Sequence, residues 1–244
     1  MTPASKNPSP GWRGKDFKRP PKKYAPKGLT ILYEDRDILV VNKINGLLTI
    51  SSAGEKENTA HFILNDYVRK GNPKSRNRVF IVHRLDQDTS GILVFAKSDK
   101  AKFYLQHEWS NFDKTYVAVV HGKLKDQEGV ISSYLLESKA YKVFSTNDTT
   151  QGKLAETGYR VIKEGEHFSL LEIQLFTGRK HQIRVHLAEL GHPVAGDKLY
   201  GKGKMGIKRL ALHATTLTLS HPHSKEQMMF EAPIPNYFKV IMKG

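Results

Sequence analysis

The chain has 244 residues, 39% of them apolar, enough for a sizeable core, and a formal charge of +15 with a pI near 9.8. That excess favours an anionic partner, nucleic acid being the commonest, while the absence of cysteine excludes disulfides, thiolate metal sites and thiol catalysis. No apolar run approaches the roughly 20 residues of a membrane helix, and the basic N terminus lacks the apolar stretch of a secretory signal, so a cytoplasmic protein is expected.

Residues 1–27 carry eight basic residues against Asp16 alone, a net of +7, together with six prolines. With little to bury, this segment is expected to be a disordered basic arm that touches phosphates without reading sequence. The remaining +8 lies on residues 28–244, which are basic in their own right and are expected to form one catalytic domain.

From Leu29 the pattern turns to strands. ILVVNK (38–43) is an apolar run of strand length that ends in the Asn45-Gly46 turn. Residues 58–70 space Ile63, Leu64 and Tyr67 along one helical face, with Gly71 as the stop. VFIV (79–82) and ILVFA (92–96) read as short buried strands around a polar stretch, HRLDQDTSG (83–91). Ser98 caps a helix through Trp109, which leads into the strand KTYVAVVHG (114–122). VISSYLL (130–136), ETGYRVI (156–162) and FSLLEIQLF (168–176) follow as strands. Thr177-Gly178 breaks the last of them, and KHQIRVHLAEL (180–190) reads as a helix stopped by Gly191 and Pro193. LALHATTLTLS (210–220) and MMFEAP (228–233) add two strands, and a short helix starts at Asn236. Strands outnumber helices and do not alternate with them. The expected class is therefore α+β, a large mixed or mostly antiparallel sheet flanked by a few helices.

Three polar constellations stand out. In 83–91, Thr89-Ser90-Gly91 is good turn chemistry, but a turn does not account for Arg84 and Asp86. In extended backbone these two share a face, and a carboxylate beside apolar packing needs a cation to stay ionised. A solvated turn and a functional carboxylate both fit these residues. In 177–193, Arg179, Lys180, His181, Gln182, Arg184 and His186 gather where a strand meets a helix, which suits an anion site or a solvated basic face. His181 and His186 are five apart and have no acidic residue between them, so no metal site is expected there. Tyr116 lies in an otherwise β-branched strand and taken alone reads as core. HRLD is not a kinase catalytic loop, since a leucine intervenes and no Gly-rich loop precedes it, and Ser90 lacks a G-x-S-x-G elbow.

Together these stretches resemble one family. HRLDQDTSGILVFAKS is similar to the signature motif of the RluA-type pseudouridine synthases. ILYEDRDILVVNKINGLL, KTYVAVVHG, TGRKHQIRVHLAELGHPVAGDKLYG and RLALHATTLTLSHP are similar to four further motifs of that family, in the same order, from Leu29 to the C terminus. Ile44 departs from the pattern, standing where the family usually has proline after the Asn-Lys pair. The sequence also opens on the basic arm, where many members carry a domain resembling a small ribosomal protein.

The resemblance implies a pseudouridine synthase catalytic fold that isomerises uridine in RNA with no cofactor and no metal. It implies Asp86 as the nucleophile on base or ribose, Arg184 as its ion-pair partner, and Tyr116 against the target base, handling a proton. Arg84 matches the arginine that fills the space of the flipped-out nucleotide, and Leu212 is expected in the wall of the uracil pocket. Arg179, Lys180 and His181 are expected to bind RNA, while His83, Asp88, Thr89 and Ser90 shape the turn. The expected partner is a structured RNA, a stem-loop of ribosomal or transfer RNA, bound by a monomer.

Deleting residues 1–27 is expected to weaken RNA binding and flatten its salt dependence, with turnover at saturating RNA little changed. Gel shifts between about 50 and 200 mM salt measure this, and an unchanged slope would show that the arm does not touch RNA.

Overall fold

Two strands with apolar side chains on both faces form the core of one half of the molecule. The computed structural model describes residues 25–51, 57–72, 74–201 and 206–243; residues 1–24 of the basic arm lie outside them. The strands are β1 (Leu29–Glu34), β2 (Ile38–Lys43), β3 (Phe80–Ile81), β4 (Ser90–Ala96), β5 (Asp113–His121), β6 (Glu128–Glu137), β7 (Val143–Thr146), β8 (Lys153–Glu164), β9 (Phe168–Leu175), β10 (Leu212–Ser220) and β11 (Gln227–Glu231). The helices are α1 (Ala60–Arg69), α2 (Asp99–His107), α3 (Gln182–Glu189) and α4 (Asn236–Ile241). All the strands join one sheet in the order β1-β2-β4-β10-β5-β9-β8-β6-β7, with β3 also on β4 and β11 also on β10. This is the expected α+β class.

The alternation of side chains across a strand explains why β2 and β4 carry near-continuous apolar runs. Leu39, Val41, Leu93 and Phe95 pack with Ala60, Leu64 and Val68 of α1 on one face. Ile38, Val40, Ile92, Val94 and Ala96 pack with Ala101 and Leu105 of α2 on the other. A further core lies under α3 and α4, where Ile183, Leu187 and Phe238 cover Val117, Val119, Leu171 and Ile173.

Helix boundaries follow the caps. Thr59 caps α1 by accepting the Phe62 amide at 3.2 Å, and Lys70 itself takes the left-handed closing position (φ 52°), one residue before the expected Gly71 stop. Ser98 caps α2 as expected, accepting the Ala101 amide at 3.2 Å. That α-helix ends at His107, and a short 3-10 turn over Trp109–Asn111 completes the expected span. Helix α3 starts at Gln182, not Lys180, because His181 adopts a left-handed backbone (φ 55°) that cannot continue a right-handed helix. The strand expected at 79–82 pairs only at Phe80 and Ile81, and β7 was not foreseen.

The sheet has two halves, joined along the backbone by one short ladder. Strand β10 pairs with β4 only through His213↔Ser90 and Ala214↔Gly91, the one parallel ladder among the described strands. Thr89, Ser90 and Gly91 are thus not an exposed turn. Ser90 and Gly91 begin β4, both are buried, and the Ser90 hydroxyl lies 2.8 Å from His213 Nδ1. Gly91 has φ +115°, and a β-carbon there would lie 2.2 Å from the Ala214 carbonyl oxygen. Only glycine lets the two backbones meet.

Gly91→Ala is therefore expected to cost more than about 3 kcal/mol, combining steric overlap with a disfavoured φ. Urea denaturation measures it, and a midpoint equal to wild type would show that the halves part without cost.

Candidate active site

The segment 82–89 leaves the sheet between β3 and β4 and carries Arg84 and Asp86 on a loop, not on the strand face expected from their spacing. The turn that follows β2 holds this loop in place. Lys43 is fully buried, and its ammonium donates to the carbonyls of Leu47 (2.7 Å), Gln87 (3.0 Å) and Ile44 (3.1 Å). Gly46 donates its amide to Gln87 O at 2.9 Å, and the Asn45 side chain donates to the Asp88 carbonyl. The Thr49 hydroxyl donates to Leu85 O at 2.8 Å and accepts the Leu85 amide at 3.2 Å. Burial pushes the Lys43 pKa down to about 7, against the pull of Asp86 and Asp88. The departure at Ile44 has a use here: its amide donates to Gly28 O at 3.1 Å, a bond that proline has no N–H to make.

Arg184, on α3, reaches Asp86 from the other half of the sheet. Its Nη1 lies 3.0 Å from Asp86 Oδ2. Its other edge grips Asp197 with two bonds, Nε to Oδ2 at 2.7 Å and Nη2 to Oδ1 at 3.0 Å. The Asp197 side chain has no exposed surface and also accepts the amides of Leu199 (2.9 Å) and Tyr200 (3.0 Å). Burial raises the Asp197 pKa, but Arg184 and the two amides outweigh it and hold the carboxyl below its ordinary range. Burial likewise opposes the charge on Arg184, yet the two carboxylates push its pKa above the ordinary value. The guanidinium is thus a permanent cation with one face spoken for and one offered to Asp86.

The start of α3 is built by Gln182. Its Oε1 accepts the Thr177 hydroxyl (2.8 Å) and the Arg179 amide (2.9 Å), and its Nε2 donates to Glu156 O and Thr157 Oγ1, both at 2.9 Å. This knot fixes the strand-to-helix junction and swings His181 toward the loop, its Nε2 lying 3.7 Å from Asp86 Oδ2.

A cleft of about 300 Å³ opens between the two halves. Asp86, Tyr116, Arg184, Arg84, Arg179, His181 and Leu212 all line it. Burial, then the Asp86 charge, pushes the Tyr116 phenol above its ordinary range, so it stays protonated at neutral pH. Lys180 is the one expected site residue turned away: its ammonium pairs with the Glu137 carboxylate and lies 5.4 Å from the centre of the Tyr141 ring. His83 has a supporting place, accepting the Val94 amide at 3.0 Å and stacking on Trp109 at 4.1 Å. Burial, then the charge of Lys114, takes its pKa down to about 3, so the ring is neutral. Ser90 and His213 do not line the cleft.

Sequence reasoning missed Lys43, Asp197 and Tyr200, and gave no role to Trp109 and Lys114, which also line the cleft. A signal for Asp197 was present: a lone acid among Val194, Ala195 and Gly196 after a basic helix calls for a cation. Among the described residues, Asp35, Asp37 and His221 also cluster, at the β1–β2 turn outside the cleft. Asp35 there accepts the Tyr33 hydroxyl, the amides of Asp37 and Ile38, and a His221 contact of 2.8 Å. No helix among the described residues is long and apolar enough to cross a membrane.

Comparison with known proteins bears on this cleft. Residues 37–189 match the family described as RNA pseudouridylate synthase. The uncharacterized RNA pseudouridine synthase YhcT of Bacillus subtilis is 40% identical over 212 residues, covering 85% of this chain and 69% of that protein. Ribosomal large subunit pseudouridine synthase D of Nitrosomonas europaea is 36% identical over 228 residues, covering 88% of this chain and 65% of that protein. Among solved structures, human RNA pseudouridylate synthase domain containing 4 shares the fold, with a TM-score of 0.72 at 23% identity over 86% of this chain and 90% of that one.

Replacing Lys43 by methionine is expected to cost about 3 kcal/mol, since three carbonyls lose their charged donor. The wild-type advantage over Lys43→Met depends on pH. Below about 7 the folded and unfolded lysines both keep the proton; above it the folded one has released it, while the unfolded one holds it to near 10.4. The unfolded chain then binds more protons, so the advantage grows with pH by up to about 1.4 kcal/mol per unit. Urea titrations at pH 6 and 9 measure it, and an advantage that is the same at both pH values would show that Lys43 stays charged.

Proposed function

The chain belongs to the RNA pseudouridylate synthase family, a family of isomerases, and on that premise we propose that its cleft converts a specific uridine of ribosomal or transfer RNA to pseudouridine. The observation that carries the reading is the Asp86 carboxylate at the cleft, 3.0 Å from a guanidinium that Asp197 holds from behind. A carboxylate so paired stays an anion in a partly buried place, which a nucleophile requires.

In the proposed reaction the bond from ring nitrogen 1 to the ribose breaks, the base turns, and carbon 5 joins the ribose. Carbon 5 gives up one proton to solvent and nitrogen 1 takes one up, so no atom is gained or lost overall. Asp86 forms the transient covalent bond, to base or to ribose, and Arg184 steadies its charge before and after. Tyr116 packs against the uracil and holds a proton at its hydroxyl. The uridine enters flipped out of its helix, and the exposed Arg84 at the rim takes its place in the stack, recovering part of a cost of a few kcal/mol. Leu212 forms a wall of the base pocket, and Arg179 meets RNA at its edge. The substrate is a stem-loop, the working unit is a monomer, and neither cofactor nor metal takes part.

Asp86→Asn tests the reading, since it keeps shape and volume but removes the charge. Tritium release from RNA labelled at carbon 5 of uridine is expected to fall to background, while gel shifts show RNA binding kept or slightly tightened. Asp88→Asn is expected to retain most activity, and chelators are expected to leave the wild-type rate unchanged. Release by Asp86→Asn at the wild-type rate would overturn the assignment. Joint loss of RNA binding and fold would make Asp86 a structural residue.

A further inference from the structure

We infer that the Nε2–H of His181 is the donor that grips a carbonyl oxygen of the target uracil, and that Tyr200 sets the imidazole tautomer for this task. The inference rests on the reading of the cleft as an isomerase site and adds to it the means of choosing the base.

A chain of hydrogen bonds sets the tautomer. The Tyr200 oxygen accepts the Val143 amide at 3.0 Å. The hydroxyl has one proton to give, and among the hydrogen bonds of the described residues its acceptor is His181 Nδ1, at 2.9 Å. A neutral imidazole that accepts at Nδ1 carries its proton on Nε2. The ring is neutral at pH 7 because burial lowers its pKa; Asp86 and Asp197 act against that, and Arg184 and Lys180 reinforce it.

Among the described residues the Nε2–H then has no acceptor. Asp86 Oδ2 is 3.7 Å away, too far for a hydrogen bond, and already takes Arg184 Nη1 at 3.0 Å. His181 lines the cleft, its side chain 14% exposed. Its backbone holds φ 55°, a conformation that a β-carbon disfavours, directly before the first turn of α3. A disfavoured backbone, a locked tautomer and an open donor beside Asp86 are the marks of a group placed for a ligand.

Uracil suits such a donor in a way that cytosine does not. Its two carbonyl oxygens flank nitrogen 3 and lie symmetrically about the axis from nitrogen 3 to carbon 6. The half-turn that replaces nitrogen 1 by carbon 5 at the ribose exchanges these oxygens. One fixed N–H therefore finds a carbonyl oxygen before the turn and another after it. On cytosine one of the two positions carries an amino group, which would leave two donors facing each other.

Two measurements test this. The first needs no substrate: long-range nitrogen–proton NMR of the full chain is expected to show His181 as the Nε2–H tautomer, and Tyr200→Phe to mix in the other. A Nδ1–H tautomer in the wild type would overturn the inference. The second uses total RNA labelled with tritium at carbon 5 of uridine, from cells lacking this gene. His181→Phe is expected to lower kcat/KM for tritium release at least tenfold, and His181→Gln, which restores an N–H, to return it to within about threefold. Thermal melts of both variants check the fold. His181→Phe at the wild-type rate would overturn the inference, as would a defect that His181→Gln shares in full. A wild-type protein that releases no tritium would instead overturn the isomerase reading, and the inference with it.

Discussion

One guanidinium ties the molecule together at the point where its chemistry lies. Arg184 stands on α3 and holds Asp197 with two bonds and Asp86 with one. Burying a charge is costly unless it is paired, and each member of this triad would be unstable without the others. Asp197 is fully buried and could not remain ionised alone; Arg184 could not remain so deeply placed without it. The deep pair supplies orientation, and the shallow one supplies an anion at the cleft. Stability and reactivity are thus divided between the two carboxylates of one cation.

The rest of the fold brings the two sides of that bridge together. Asp86 comes from the half built on β2 and β4, and Arg184 from the half built on β5, β8 and β9. The halves meet at Ser90-Gly91 on His213-Ala214, four residues beyond Asp86, where only a glycine permits the approach. The loop between is pinned by Lys43, Asn45, Gly46 and Thr49. A small shift at this seam would move Asp86 relative to Arg184, and catalytic geometry tolerates about 1 Å at most. Tyr116 packs into the cores of both halves, so the wall of the cleft is also part of the seam.

Much of this was legible in the residues. The apolar runs of β2 and β4, the cap at Ser98 and the run of strands without regular helices follow from local rules and hold in the structure. The ordered motifs by themselves resemble those of its family. Contacts between distant segments were hidden. Lys43 reads as the polar end of a strand, yet its ammonium lies under a loop 44 residues away. Asp197 reads as a loop acid, yet it sets the direction of Arg184. Gly91 reads as turn chemistry, but its torsion serves a backbone 123 residues on. The direction of Lys180 was hidden too, since a basic run on one helix start sends alternate side chains to different places, and this one pairs with Glu137.

The most direct test of the account replaces Arg184 by lysine. A lysine keeps the positive charge but offers a single ammonium where the guanidinium offers a fork. It is expected to go to the more deeply buried Asp197, preserving the fold and leaving Asp86 unheld. Tritium release from uridine-labelled RNA should then fall on the order of 100-fold while RNA binding persists, the loss that about 1 Å of misplacement brings. Release at the wild-type rate from a folded Arg184→Lys protein would contradict the account, because the bridge between the two carboxylates would then have no part in the chemistry.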